Sequence, residues 1–282
     1  MSTDTTLAAP EPAVSVPEER KPPRGTLLPA VVRAEWTKLR SVRSTVWSLV
    51  ATIGITVGLG MLFCFAYTRR FDRLGPRERL TFDPTAQSLR GLFLAQLAIG
   101  VLGVLVISSE HATGLIRITL TAVPQRRVVL AAKVIVFGAV AVVVTMVAVF
   151  IAFFAGQAVL DTKHLGVSIG DPHVVRAVLG AGVYLTFVGL LGLAIGTIVR
   201  RTAGAIATLV GAVLVLPLLA QALPSPWNDD IAKFLPGGIG ASLFSVRLVT
   251  DRLTPAAALV VALVWLVATF AIATVLISRR DA

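Results

Sequence analysis

VIVFGAVAVVVTMVAVFIAFFAGQAVL, residues 134–160, decides the fold: it runs 27 residues without a charged side chain. At about 1.5 Å per residue, a helix of that length reaches past the ~30 Å hydrocarbon core of a bilayer. Five further uncharged runs flank it, at 45–67, 91–109, 177–199, 202–223 and 256–278. Hydrophobic residues make up 56% of the 282 and charged residues 15%, with a mean hydropathy of +0.85. Soluble domains carry roughly 25% charged residues, so too little polar surface remains here to coat a soluble globule. The expectation is an all-α integral membrane protein with six transmembrane helices. Runs four and five are separated only by Arg200-Arg201, which must form a tight turn at one membrane surface.

The net charge is +11 and the isoelectric point about 11.1. Lys and Arg fall mainly between the apolar runs, where they anchor helix ends and meet anionic lipid. No aromatic-basic RNA module and no DNA-reading helix accompanies them, which argues against nucleic acid as a partner. The single cysteine, Cys64, rules out an intrachain disulfide and a CxxC site.

Residues 1–29 hold six prolines and few large apolar side chains; they read as a disordered tail, with the spanning domain over 30–282. The first apolar run lies too deep and is too long for a cleavable signal peptide. Residues 30–44, AVVRAEWTKLRSVRS, form a basic amphipathic stretch suited to the membrane interface. Val31, Ala34 and Leu39 share one face with Trp36 at its edge, and Arg33, Lys38, Arg40 and Arg43 lie elsewhere. Six spans put both termini on one side. With the termini cytoplasmic, 15 of the 26 Lys and Arg lie inside, the orientation favoured by the positive-inside rule. The Arg-rich stretch 68–90 weighs against it.

Two connections stand out. Residues 108–133 are helical in character with a break at Pro124, which lacks an N–H and disfavours helix before it. Residues 224–255 are punctuated by Pro224, Pro226, Pro236, Gly237 and Gly238, and are apolar enough to dip back into the interface. Gly54 and Gly58, and Gly192 and Gly196, are GxxxG pairs, while Gly182, Gly189 and Gly196 repeat every seven residues; such faces let helix backbones approach, within the chain or, as a weaker expectation, across a dimer seam.

Chemistry-bearing motifs are missing. No GxxxxGK[ST] phosphate loop, GxSxG, HExxH or paired-Cys site occurs, so no catalytic residue and no metal site is expected. His164 and His173 share a loop with Asp161 and Asp171, a pattern that most often marks solvated polar residues. The six apolar runs contain only neutral polar groups such as Gln96, Thr145, Gln157, Thr186 and Gln221. Proton- and ion-coupled transporters use buried charge, so a stand-alone secondary transporter loses ground, as does a membrane-embedded lipid-modifying enzyme. Glu110 is the one carboxylate at a run boundary, with Arg117 about two turns on.

EWTKLRSVRST at 35–45, beginning with Glu35, Trp36 and Lys38, resembles the segment leading into the first span of actinobacterial permease subunits of the ABC-2 type. EHATGLIRITLTAVPQRRVVLAAK at 110–133 resembles their first cytoplasmic loop, through Glu110, Thr113, Gly114, Ile116, Arg117, Pro124, Arg126, Ala131, Ala132 and Lys133. FLPGGIG at 234–240, with Leu235, Pro236, Gly237 and Gly240, is similar to the element before their last span. The resemblance covers residues 30–280 and implies a division of labour in an exporter. Two permease chains, identical or not, would form the translocation path with a separate pair of ATPase subunits, which bind the ATP and Mg. The loop with Glu110, Thr113, Gly114, Arg117, Pro124, Arg126 and Arg127 would dock on the ATPase. The segment with Glu35, Trp36, Lys38, Arg40 and Arg43 would be a second, interfacial contact, and 235–240 a re-entrant outer segment. The implied location is the plasma membrane.

Overall fold

The 134–160 run lies inside a helix that extends past it at its N-terminal end. The computed structural model describes residues 27–73, 75–115, 121, 123, 125–224, 227–247 and 252–279. In chain order the helices are α1 (Leu27–Ser41), α2 (Arg43–Arg70), the short α3 (Pro76–Leu80) and α4 (Pro84–Ser88), α5 (Leu92–Ala112), α6 (Arg126–Asp161), α7 (Val174–Val199), α8 (Thr202–Gln221), the short α9 (Trp227–Ala232) and α10 (Pro236–Leu243), and α11 (Pro255–Arg279). Among the described residues there is no strand, and α2, α5, α6, α7, α8 and α11 are the six helices long and apolar enough to cross a membrane. With 36 residues, α6 is about 54 Å long, so its two N-terminal turns outrun the span.

The bundle is organised around α7. Buried residues make up 83% of its most apolar stretch, against 17% for α11, so α7 is the axis and α11 a peripheral stave. Glycines set the tightest approach, between α5 and α7. A Cβ at Gly192 would land on the Gly100 carbonyl oxygen, and one at Gly103 on the Gly189 carbonyl oxygen. The seven-residue repeat does not serve one partner: Gly182 faces Met146 on α6, Gly189 faces Ile99 and Phe137, and Gly196 faces Ile107 and Val104. Between α6 and α7, Thr145 Oγ1 lies 2.9 Å from Thr186 Oγ1 and donates to the Gly182 carbonyl at 3.1 Å. Neutral polar residues thus serve as interhelical glue.

Gly54 and Gly58 do not pack within the chain. Both are exposed, with open space around them. The inward stripe of α2 is instead Thr52, Thr56, Gly60 and Cys64, spaced by four and therefore on one helical face. Residue 54 falls about 200° from residue 52 and faces away. α4 wedges into that stripe: a Cβ at Gly60 would meet the Ser88 carbonyl oxygen, and Gln157 Nε2 of α6 donates to Ser88 Oγ at 2.9 Å.

The Arg200-Arg201 turn is as tight as expected. Arg200 takes the left-handed conformation (φ 60°) and α8 begins two residues later. α8 is not regular. The Leu216 N–H donates to the Gly211 carbonyl, one residue farther back than in an α-helix, so residues 211–215 form a wide π turn. Pro217 supplies the reason, since it has no N–H for the Val213 carbonyl and its ring crowds that position.

Candidate functional site

Lys133 sits on the inner face of α6 with Val129, Leu130, Val136 and Phe137 one turn to either side. Its side chain is 1% exposed. An ammonium there is costly unless paired, and it has two partners. Lys133 Nζ donates to Glu35 Oε2 of α1 at 2.6 Å and to Glu110 Oε1 of α5 at 2.7 Å. Lys38 Nζ, on the half-exposed side, donates to Glu35 Oε1 at 2.9 Å and to Glu110 Oε1 at 3.1 Å. Two acids and two bases alternate, and their formal charges cancel. Burial works against the charge of Lys38, but the hydrogen bond to Glu35 and the attraction of Glu110 outweigh it and hold the ammonium above its ordinary value.

The cluster binds three elements far apart in sequence. α1 docks on the overhanging turns of α6 through a small apolar cluster of Val31, Val129 and Ala132, separate from the main core. The buried face of α1 is therefore Val31 and Glu35, with Leu39 half-buried and Ala34 exposed. The acid turns inward toward Lys133, on a face that the apolar pattern did not single out. The helices extending beyond the apolar runs also place charge inside the bundle's end, where the runs alone showed none.

The other sequence-selected residues fall around this cluster. Thr113 closes α5, its N–H and Oγ1 both donating to the Ser109 carbonyl, and Gly114 follows with φ 72°. Arg126 Nη1 donates to the Ile277 carbonyl at 2.9 Å, tying α6 to the end of α11. Arg127, Trp36, Arg40 and Arg43 are exposed. Ile116, Arg117 and Pro124 lie outside the described residues. Glu110 therefore has Lys133 and Lys38 as its described partners. Lys133 was readable only as a residue before an apolar run; the helical spacing of 129, 130, 133, 136 and 137 was the signal that it faces inward. A cavity of about 560 Å³ adjoins the cluster, running from Leu102 past Glu110 and Lys133 to Ser44.

At the opposite end of the bundle, Leu235 caps α10, Pro236 opens it, Gly237 lies against Pro217, and Gly240 packs on the Tyr184 ring. Tyr184 Oη donates to Gln96 Oε1. These two polar residues form the floor of a larger cavity, about 1010 Å³, between α5, α7, α8 and α10. In the nearby loop His164 and His173 are exposed, and Asp171 accepts the Ser168 N–H. Among the described residues no three His, Cys, Asp or Glu side chains converge to hold a metal.

Six apolar helices, with no strand among the described residues and with the charged side chains at the bundle's ends and in its loops, define a multi-pass membrane protein. A family model described as "ABC-2 family transporter protein" matches residues 31–222, and the chain belongs to that family. The match runs from α1 to the end of α8, so the likeness read in 234–240 lies beyond it. No curated protein matches the sequence. Permeases of this family are generally non-catalytic membrane components that work with an ATPase subunit.

Proposed function

We propose that this chain is the membrane-spanning subunit of an ATP-binding-cassette exporter, with residues 30–282 as its spanning domain and 1–29 as a cytoplasmic tail. It pairs with a second permease chain, identical or not, to form a translocation path in the plasma membrane. Both termini are cytoplasmic. ATP and Mg belong to a separate pair of ATPase subunits. The observation that carries this reading is the Lys133 cluster. It joins α1, the end of α5 and the overhanging start of α6 into one unit at the end of the bundle where the 110–133 connection lies. A docking surface that transmits force must hold together through the cycle, and a buried ion cluster fixes register in that way. An ion-gradient transporter would also use buried charge, but these charges are mutually paired and lie at one end, leaving the middle of the bundle uncharged.

The test is co-expression with the ATPase encoded nearest to the gene. Copurification and permease-dependent ATP hydrolysis are expected. Arg127→Glu, at an exposed position outside the buried cluster, should lower that hydrolysis without changing the melting temperature. Transport by the purified chain alone under a proton or sodium gradient, without ATP, would defeat the reading.

A further inference from the structure

We infer that the 1010 Å³ cavity at the end of the bundle opposite Lys133 is a binding site for an amphiphile with an anionic head, a phosphate or carboxylate on an apolar tail. Its size lies at the upper end of the range for small-molecule sites. The polar atoms of its floor are already used. Tyr184 donates to Gln96, and Gln96 Nε2 donates to the Phe93 carbonyl at 2.9 Å. The walls are apolar, with Leu92 and Phe93 on one side and Val213, Leu214 and Pro217 on the other. The Pro217-induced π turn in α8 shapes that second wall.

Among the described residues that line the cavity, the charged side chains are all basic. Arg90, Lys233 and Arg252 come from three separate segments and line the cavity, and no acidic side chain is among its described lining residues. Asp230 pairs with Lys233 at 2.7 Å and offsets one charge. The other two remain. The Arg90 guanidinium stands 5.8 Å from the Phe63 ring centroid and makes no hydrogen bond to described residues, and Arg252 Nη1 donates only weakly, at 3.3 Å, to the Ala241 carbonyl. Each guanidinium has five N–H donors in a fork that matches carboxylate or phosphate oxygens. Arg90 lies just ahead of α5, whose first turns carry the apolar wall and Gln96, so a head held by Arg90 has apolar surface directly beneath it. This gives a use to the C-terminal end of the Arg-rich stretch 68–90.

Arginines at span ends also reach out to ordinary lipid phosphates, and the experiment separates that from a site. The full-length permease is placed in phosphatidylcholine nanodiscs and titrated with radiolabelled dodecyl phosphate. Saturable binding near one per chain is expected, competed poorly by dodecyltrimethylammonium and dodecyl maltoside. Arg90→Gln and Arg252→Gln should each weaken it roughly tenfold, the scale of a lost charge-assisted hydrogen bond. Leu214→Trp fills the cavity and leaves all three cations in place, so it should abolish binding while the melting temperature holds. Equal binding of the three head types, or unchanged binding in Leu214→Trp, would overturn the site.

Binding needs no ATPase; only the transport arm rests on the permease reading. Displacement by phosphatidylglycerol without ATP-driven movement marks a resident lipid, and movement of dodecyl phosphate on adding ATPase and ATP marks cargo. Both outcomes support the site. Loss of ATPase coupling with binding intact would remove the permease reading alone.

Discussion

Lys133→Met should be the most damaging single change in the end cluster. At 2.6 and 2.7 Å from the two carboxylates, each attraction is worth about 6 kcal/mol at an effective dielectric of ~20. Desolvation of each ion costs several kcal/mol in the other direction, so the net worth of the intact cluster is small. Removing the lysine alone is different. Among the described residues it leaves Glu35 and Glu110 with Lys38 alone, whose side chain is 41% exposed, and breaking a buried pair this way costs about 3–5 kcal/mol. At roughly 2–4 °C per kcal/mol for a chain of this size, the melting temperature should fall by about 6–20 °C. Replacing all three buried members, as Glu35→Leu/Glu110→Leu/Lys133→Met, removes the uncompensated charge and should recover most of the loss. Thermal unfolding in nanodiscs, followed by tryptophan fluorescence, measures both. A single-variant cost below about 1 kcal/mol, or a triple variant as unstable as the single, would refute the reasoning drawn from buried pairs.

Gly192→Ala and Gly58→Ala should move stability in opposite directions. The first drives a methyl into the Gly100 carbonyl and the second meets open space, where exchanging a helical Gly for Ala gains about 0.5–1 kcal/mol; paired melting curves check the signs. A double-mutant cycle with Thr145→Val and Thr186→Val should give a coupling of about 0.6 kcal/mol, not above ~1.7, the range for hydrogen bonds between membrane helices. Because the Lys38 value is raised in the folded state, its contribution is complete below the unfolded lysine value of about 10.4 and is lost only above it. The melting difference between the native protein and Lys38→Met should therefore stay constant from about pH 6 to 9 and shrink above ~10.5.

Part of the candidate site is legible in the sequence. Glu35, Lys38 and Glu110 stand out as charges beside apolar runs, and the 110–133 connection is marked by Pro124 and its arginines. Their convergence is not legible there. Lys133 lies 98 residues from Glu35 and 23 from Glu110, and a lysine ahead of an apolar run reads as an anchor at a membrane surface. Only the two extra turns of α6 make it an interior residue. The glycines divide in the same way. GxxxG spacing at 54 and 58 and at 192 and 196 is equivalent in sequence, yet the first pair is open and the second is packed, because which face of a helix turns inward depends on what stands beside it.

The number and placement of the spans came from the chain alone. Crossing a bilayer is a local requirement: a segment must be long enough, uncharged, and able to satisfy its own backbone hydrogen bonds. The long helices accordingly hold to the six runs. Which charges pair and which small residues meet is decided between segments, through contacts that no stretch of sequence contains. The same holds for where three basic side chains gather over an apolar hollow. In a medium as apolar as the side chains themselves, packing and polar contacts set those choices, and they exist only once the helices have assembled.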